Sequence, residues 1–112
     1  MALIPKDFVN YKSTPIFSHD SVPKMLLHMH NTKAGVYGQI QVLAGQLTFY
    51  GFTDRRGELD KQIVINAGET AISPPEYWHK VELMTDDTEF RIHFYAQKDS
   101  EIVAQQQSER NE

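Results

Sequence analysis

The stretch Val36-Tyr37-Gly38-Gln39-Ile40-Gln41-Val42-Leu43-Ala44-Gly45-Gln46-Leu47-Thr48-Phe49-Tyr50-Gly51-Phe52 decides the fold. Polar and apolar side chains alternate on both sides of Gly45, which is the period of a strand and not of a helix. Glycine suits the tight reversal between them, so a hairpin of Val36 to Leu43 and Gln46 to Phe52 is predicted. Working outward, the same texture predicts strands near Lys24 to His30, Gln62 to Asn66, Thr70 to Ser73, Trp78 to Met84 and Glu89 to Ala96, with Thr85-Asp86-Asp87-Thr88 turning the last two into a second hairpin. Short strands with turn residues at each break and no helical crossover predict an all-β protein, an antiparallel β-sandwich or small barrel.

The chain has 112 residues, 40% hydrophobic and 23% charged, which suits one compact domain. That domain is expected over residues 1–97, followed by a short polar C-terminal tail over 98–112 that is read as a frayed helix or a disordered segment. Lysine plus arginine minus aspartate plus glutamate is 11 − 15 = −4, a balance that argues against nucleic acid or an anionic membrane surface as partner. The start of the chain has no apolar run of signal-peptide type and no stretch is long enough to span a membrane, so a cytoplasmic location is expected. Phosphate-loop and dinucleotide fingerprints are absent. With no cysteine, any transition-metal chemistry must use histidine, carboxylate or water.

Attention therefore falls on the histidines. On a strand, His28 and His30 emerge on one face roughly 7 Å apart, close enough for one ion to reach both; Met25, Leu27 and Met29 make the other face apolar, so the strand could equally bury its methionines and expose the imidazoles. His79 shares its face with Val81 and Leu83, opposite Lys80 and Glu82, and is read as core-facing. It is either a hydrogen-bonded core residue or a ligand, and the rigid Pro74-Pro75 approach suits presentation of a ligand. His93 lies opposite Phe90, Ile92 and Phe94: if those fill the core it is a solvated or interface residue, and if the polar face lines a cavity it is a fourth ligand. Lys33, with Thr32 beside it, is either a solvated loop residue or the cationic element of an anion site. Glu76 is placed to orient an imidazole, whereas Glu82 faces away.

Gly68, Pro74 and His79 reproduce the spacing of the second cupin motif, with Glu76 and Leu83 where that motif carries glycine and asparagine. His28-Met29-His30 resembles the H-x-H of the first, but the motif's glutamate is missing and Gly38 stands in its place. A fuller resemblance covers nearly the whole chain. Pro5, Thr14-Pro15-Ile16-Phe17, Pro23, His30-Asn31-Thr32-Lys33-Ala34-Gly35-Val36-Tyr37-Gly38, Val42-Leu43-Ala44-Gly45-Gln46-Leu47, Pro75-Glu76-Tyr77-Trp78-His79 and Phe94-Tyr95 resemble the small cupin-like family of the amino-terminal part of tellurite-resistance protein B and its YeaR-like stand-alone members. That resemblance implies a cupin-like antiparallel β-sandwich, a homodimer, and His30 and His79 as the leading metal ligands, but it carries no established reaction.

Convergence of His28, His30 and His79, with His93 as a fourth ligand, would suit a divalent ion, zinc first, with nickel, copper and ferrous iron also admitted. Lys33 and Thr32 would then meet a small anionic molecule or oxyanion. Three functions stay open: a stress-related binding protein for such a ligand, in tellurite or other oxyanion resistance; a metal-dependent oxygenase, isomerase or hydrolase; and a homodimeric interaction module.

Overall fold

The computed structural model describes residues 3–110. Two four-stranded antiparallel sheets face each other, as the alternating pattern predicts for an all-β sandwich. The first is ordered β1 (Phe8–Ser13), β8 (Glu89–Gln97), β3 (Val36–Ala44), β6 (Thr70–Ser73). The second is ordered β2 (His30–Asn31), β7 (Trp78–Leu83), β4 (Gln46–Phe52), β5 (Leu59–Asn66). Period-two alternation sends Val36, Gly38, Ile40 and Val42 of β3 inward, and Ile40 and Val42, with Phe90 and Ile92 of β8, meet Leu47 and Phe49 of β4 and Val81 of β7.

The β3–β4 hairpin turns at Gly45, whose φ of +69° a side chain would strain, and a β-carbon there would come within 2.9 Å of the Thr88 α-carbon. The second hairpin closes through buried Thr88, whose Oγ1 lies 2.8 Å from the Gln46 carbonyl oxygen and accepts the Thr85 N–H at 3.1 Å.

Two parts of the chain differ from the sequence-based expectation. Lys24 to His30 is not one strand: Lys24–Leu27 form a 3₁₀ turn and only His30–Asn31 pair in the sheet. Pro23 sets the approach at φ −60°, and the i→i+3 bonds Leu26 N–H to Pro23 O and His28 N–H to Met25 O wind residues 24–28 too tightly for a strand. Leu26 is thereby buried while Met25, Leu27 and Met29 are exposed. The second difference is β1, an edge strand that the pattern did not reveal. A register shift between Asn10 and Lys12 breaks its alternation, and only Phe8 and Tyr11 are half-buried.

The tail carries α1 (Glu101–Arg110), which begins after Ser100, where Oγ accepts the Val103 N–H at 3.4 Å in the manner of a cap. Val103, 2% exposed, packs with Val36 and Ala96 and ties the helix to the first sheet. Residues 111–112, the end of the expected polar tail, lie outside the described residues. No helix among the described residues is long and apolar enough to cross a membrane.

Candidate functional site

His30 and His79 are directly paired in the β2–β7 ladder, which brings their rings to 4.1 Å between centroids at 62°. Each imidazole is anchored through Nδ1: His30 to the His28 carbonyl oxygen at 2.8 Å, His79 to the Tyr77 carbonyl oxygen at 2.8 Å. A carbonyl oxygen only accepts, so Nδ1 carries the proton in both rings and Nε2 of the neutral ring keeps its lone pair. This is the arrangement in which a backbone carbonyl orients a metal-ligating imidazole.

His79 is 7% exposed and lies against the Phe49 ring, 5.3 Å between centroids at 20°. Burial, and to a lesser degree the neighbouring His30, push its pKa down to about 4, against a smaller upward pull from the Tyr77 carbonyl. It is therefore neutral near pH 7. Buried Ser73 extends the polar cluster, its Oγ lying 3.2 Å from His79 Nδ1 and 2.7 Å from the hydroxyl of buried Thr32.

The loop before His79 is held by two backbone bonds to the β2 segment, Glu76 N–H to Thr32 O and Thr32 N–H to Tyr77 O. Glu76 adopts φ +59°, the left-handed conformation that favours glycine, at the position where the cupin motif places one. Its backbone clamps the loop, while the carbonyls of His28 and Tyr77 orient the imidazoles.

The two imidazoles open onto a cavity of about 400 Å³ between the sheets. Leu26, Val36, Ile40, Val81, Ile92 and Phe94 form its apolar wall, and Ile102, Gln105 and Gln106 of α1 lie along it. Exposed Lys33 and Lys12 also line it and mark the solvent side. Gly38 is the inward position of β3 opposite Ser73 in the β3–β6 ladder, and its missing side chain leaves space in front of the polar cluster.

The structure does not bring the four expected histidines together. Among the described residues no three His, Cys, Asp or Glu side chains come together in a way that could hold a metal ion. His28 caps the 3₁₀ turn, is exposed, and does not line the cavity, because the strand alternation expected to pair its ring with His30 is not formed. His93 lies on the outer face of β8, since Phe90 and Ile92 take the core; Ser13 Oγ is 2.7 Å from its Nδ1 and Gln41 Oε1 2.8 Å from its Nε2. Glu82 points outward and accepts the Tyr50 hydroxyl, in line with strand parity. Ser73, Gly38 and Lys12 do not stand out in the sequence as site residues, although the alternation through Val36-Tyr37-Gly38-Gln39-Ile40 marks Gly38 as inward-facing.

The profile of the TehB-like domain matches residues 12–92. The chain belongs to the TehB-like domain family. It is 37% identical over 99 residues to the uncharacterized protein YeaR of Escherichia coli (strain K12), covering 85% of this chain and 83% of YeaR. It is 33% identical over 93 residues to a probable S-adenosyl-L-methionine-dependent methyltransferase, TehB of Haemophilus influenzae (strain KW20 Rd), covering 83% of this chain but 32% of TehB. A crystal structure of an E. coli (strain K12) protein superposes with a TM-score of 0.82 at 37% identity, covering 86% of this chain and 97% of that one. The crystal structure of H. influenzae TehB gives 0.77 at 33%, covering 84% of this chain and 33% of that one. The TehB-like domain thus keeps the two-sheet sandwich with or without further chain attached.

Proposed function

We propose that this TehB-like domain, of the kind found in tellurite-resistance proteins, is a small-ligand binding module that holds a divalent transition-metal ion between His30 and His79. The observation that carries the reading is the pair of facing imidazoles, each with Nδ1–H committed to a backbone carbonyl. Neutral nitrogen donors of this kind suit zinc, copper, nickel or ferrous iron. When bound, the ion supplies a Lewis acid with positions left open for a ligand oxygen. His30 and His79 hold it, Phe49 and the carbonyls orient the rings, and the apolar wall limits water around the ligand.

None of the aspartates and glutamates among residues 3–106 lines the cavity. Without a carboxylate poised as acid or base, the arrangement favours binding over an oxygenase, isomerase or hydrolase reaction. Elemental analysis of untagged protein, alongside His30→Ala and His79→Ala variants whose folding is checked by circular dichroism, tests the reading. About one ion per chain, lost in both folded variants, is expected; stoichiometric metal retained in either variant overturns it.

A further inference from the structure

The chemistry of the cavity narrows the class of ligand. At about 400 Å³ it has room for roughly a dozen non-hydrogen atoms if each takes about the volume of one liquid water, 30 Å³. A tellurite or nitrite ion would fill a small part of it. Most of the enclosed wall is built from Leu26, Val36, Ile40, Val81, Ile92 and Phe94, groups that offer no hydrogen bond to oxygens. Yet in a chain of net charge −4 the cavity is lined by two lysines and, among residues 3–106, by no carboxylate. Lys12 and Lys33 are exposed, whereas Ile40, Val81 and Ile92 are buried, so positive charge sits at the mouth and a largely hydrocarbon wall lies inside, broken by the buried Thr32, Ser73 and His79 cluster.

We propose that the cavity takes an organic anion with an apolar body, in its simplest form a medium-chain carboxylate, and not a bare inorganic oxyanion. The hydrocarbon lies against the wall and the carboxylate meets Lys33 and Lys12. This rests on the ligand-binding reading above but not on the metal. Gly38 sets the depth. A β-carbon added there would stand 3.7 Å from Ile92 Cγ2 and 3.9 Å from Phe94 Cε1, ordinary contact distances, so alanine is accepted by the strand, and any side chain added at this cavity-lining position takes up ligand space.

The test is isothermal titration calorimetry of the full chain, stripped of metal with a chelator, against sodium acetate, butanoate, hexanoate and octanoate, with tellurite for comparison. Burial in the cavity predicts affinity rising about three- to fourfold for each added methylene until the space is filled. Gly38→Leu is expected to weaken octanoate more than tenfold and acetate least; Gly38→Ala, a milder variant should the first not fold, shifts the same members by a smaller factor. Lys33→Gln is expected to weaken all members by a common factor. Affinity independent of chain length, a length dependence untouched by both Gly38 variants, or tellurite binding more tightly than octanoate would each overturn the proposal. Because these titrations use metal-free protein, they fail or succeed independently of the metal analysis on the His30 and His79 variants.

Discussion

His79 lies almost parallel to Phe49, with 5.3 Å between ring centroids, and both are buried. The stacked phenyl ring removes water from one side of the imidazole and offers no hydrogen bond to a second ring proton. That is the physical origin of the lowered pKa, together with His30 on another side.

The shift makes stability depend on pH, with a sign fixed by its direction. The folded-state pKa of about 4 lies below the ordinary 6.5 of the unfolded chain, so on acidification the unfolded state takes up the proton first. The contribution of neutral His79 is fully present above pH 6.5 and is lost as pH falls from there toward 4, up to about 3 kcal/mol in all. Urea unfolding of metal-free protein at intervals from pH 7.5 to 4 should show the decline. His79→Phe should remove most of it; an undiminished slope in that variant would assign the effect to other groups.

The outer histidine behaves differently. His93 is tied to Ser13 and Gln41 on the far face of the first sheet, and His28 is exposed beside the 3₁₀ turn. His28→Ala and His93→Ala should therefore keep the metal content of the parent by elemental analysis, and only loss of His30 or His79 should reduce it. A drop below half occupancy in His93→Ala would require a rearranged site.

Glu76 gives a third expectation. A non-glycine residue at φ +59° costs about 1–2 kcal/mol relative to a right-handed conformation, and glycine relieves much of that. The unfolded chain gains freedom with glycine, which takes back about 0.4–1 kcal/mol. Glu76→Gly should thus be neutral or stabilising by up to about 1 kcal/mol in urea unfolding, with the Glu76 N–H to Thr32 O bond kept. Destabilisation by more than that amount would mean that the Glu76 side chain supports the loop.

The hairpin around Gly45 was legible because its information is local, alternation and a turn glycine, and a family resemblance singled out His30 and His79. That their strands pair directly was not legible, since register between distant segments leaves no local pattern. The Lys24 to His30 segment was not legible either, because Pro23 and two i→i+3 bonds override an alternation that looks like a strand. Phe8–Ser13 escaped for the opposite reason, since its bulge erases the period and few of its side chains are buried. The inward turn of Gly38 was visible in the period of β3, but that its bare face would meet Ser73 depends on the β3–β6 register, which no local pattern encodes. The docking of α1 rests on Val103 and Ile102, two apolar side chains near the start of a mostly polar tail.

Gly51 links the stability of the sheet to the orientation of His79. It pairs with His79 in the β4–β7 ladder, and a β-carbon built on it would overlap the ring of Tyr77, with Cε2 and Cζ each at 2.5 Å. The ring cannot swing aside cheaply, because its hydroxyl donates to Asp60 Oδ2 at 2.6 Å and its face stacks near Phe49. Gly51→Ala must displace either the Tyr77 ring or the strand, an overpacking cost of about 1–3 kcal/mol in unfolding free energy. The same displacement moves the Tyr77 carbonyl that holds His79 Nδ1, so metal affinity should fall about tenfold or more as it does when a ligand's orienting partner is disturbed. Gly68→Ala is the control, because a β-carbon there has no neighbour within 4 Å and only the φ of +90° is strained. It should lower stability while leaving metal affinity as in the parent. If Gly51→Ala lowers stability but binds metal as tightly as Gly68→Ala does, the Tyr77 carbonyl does not position His79 for the ion.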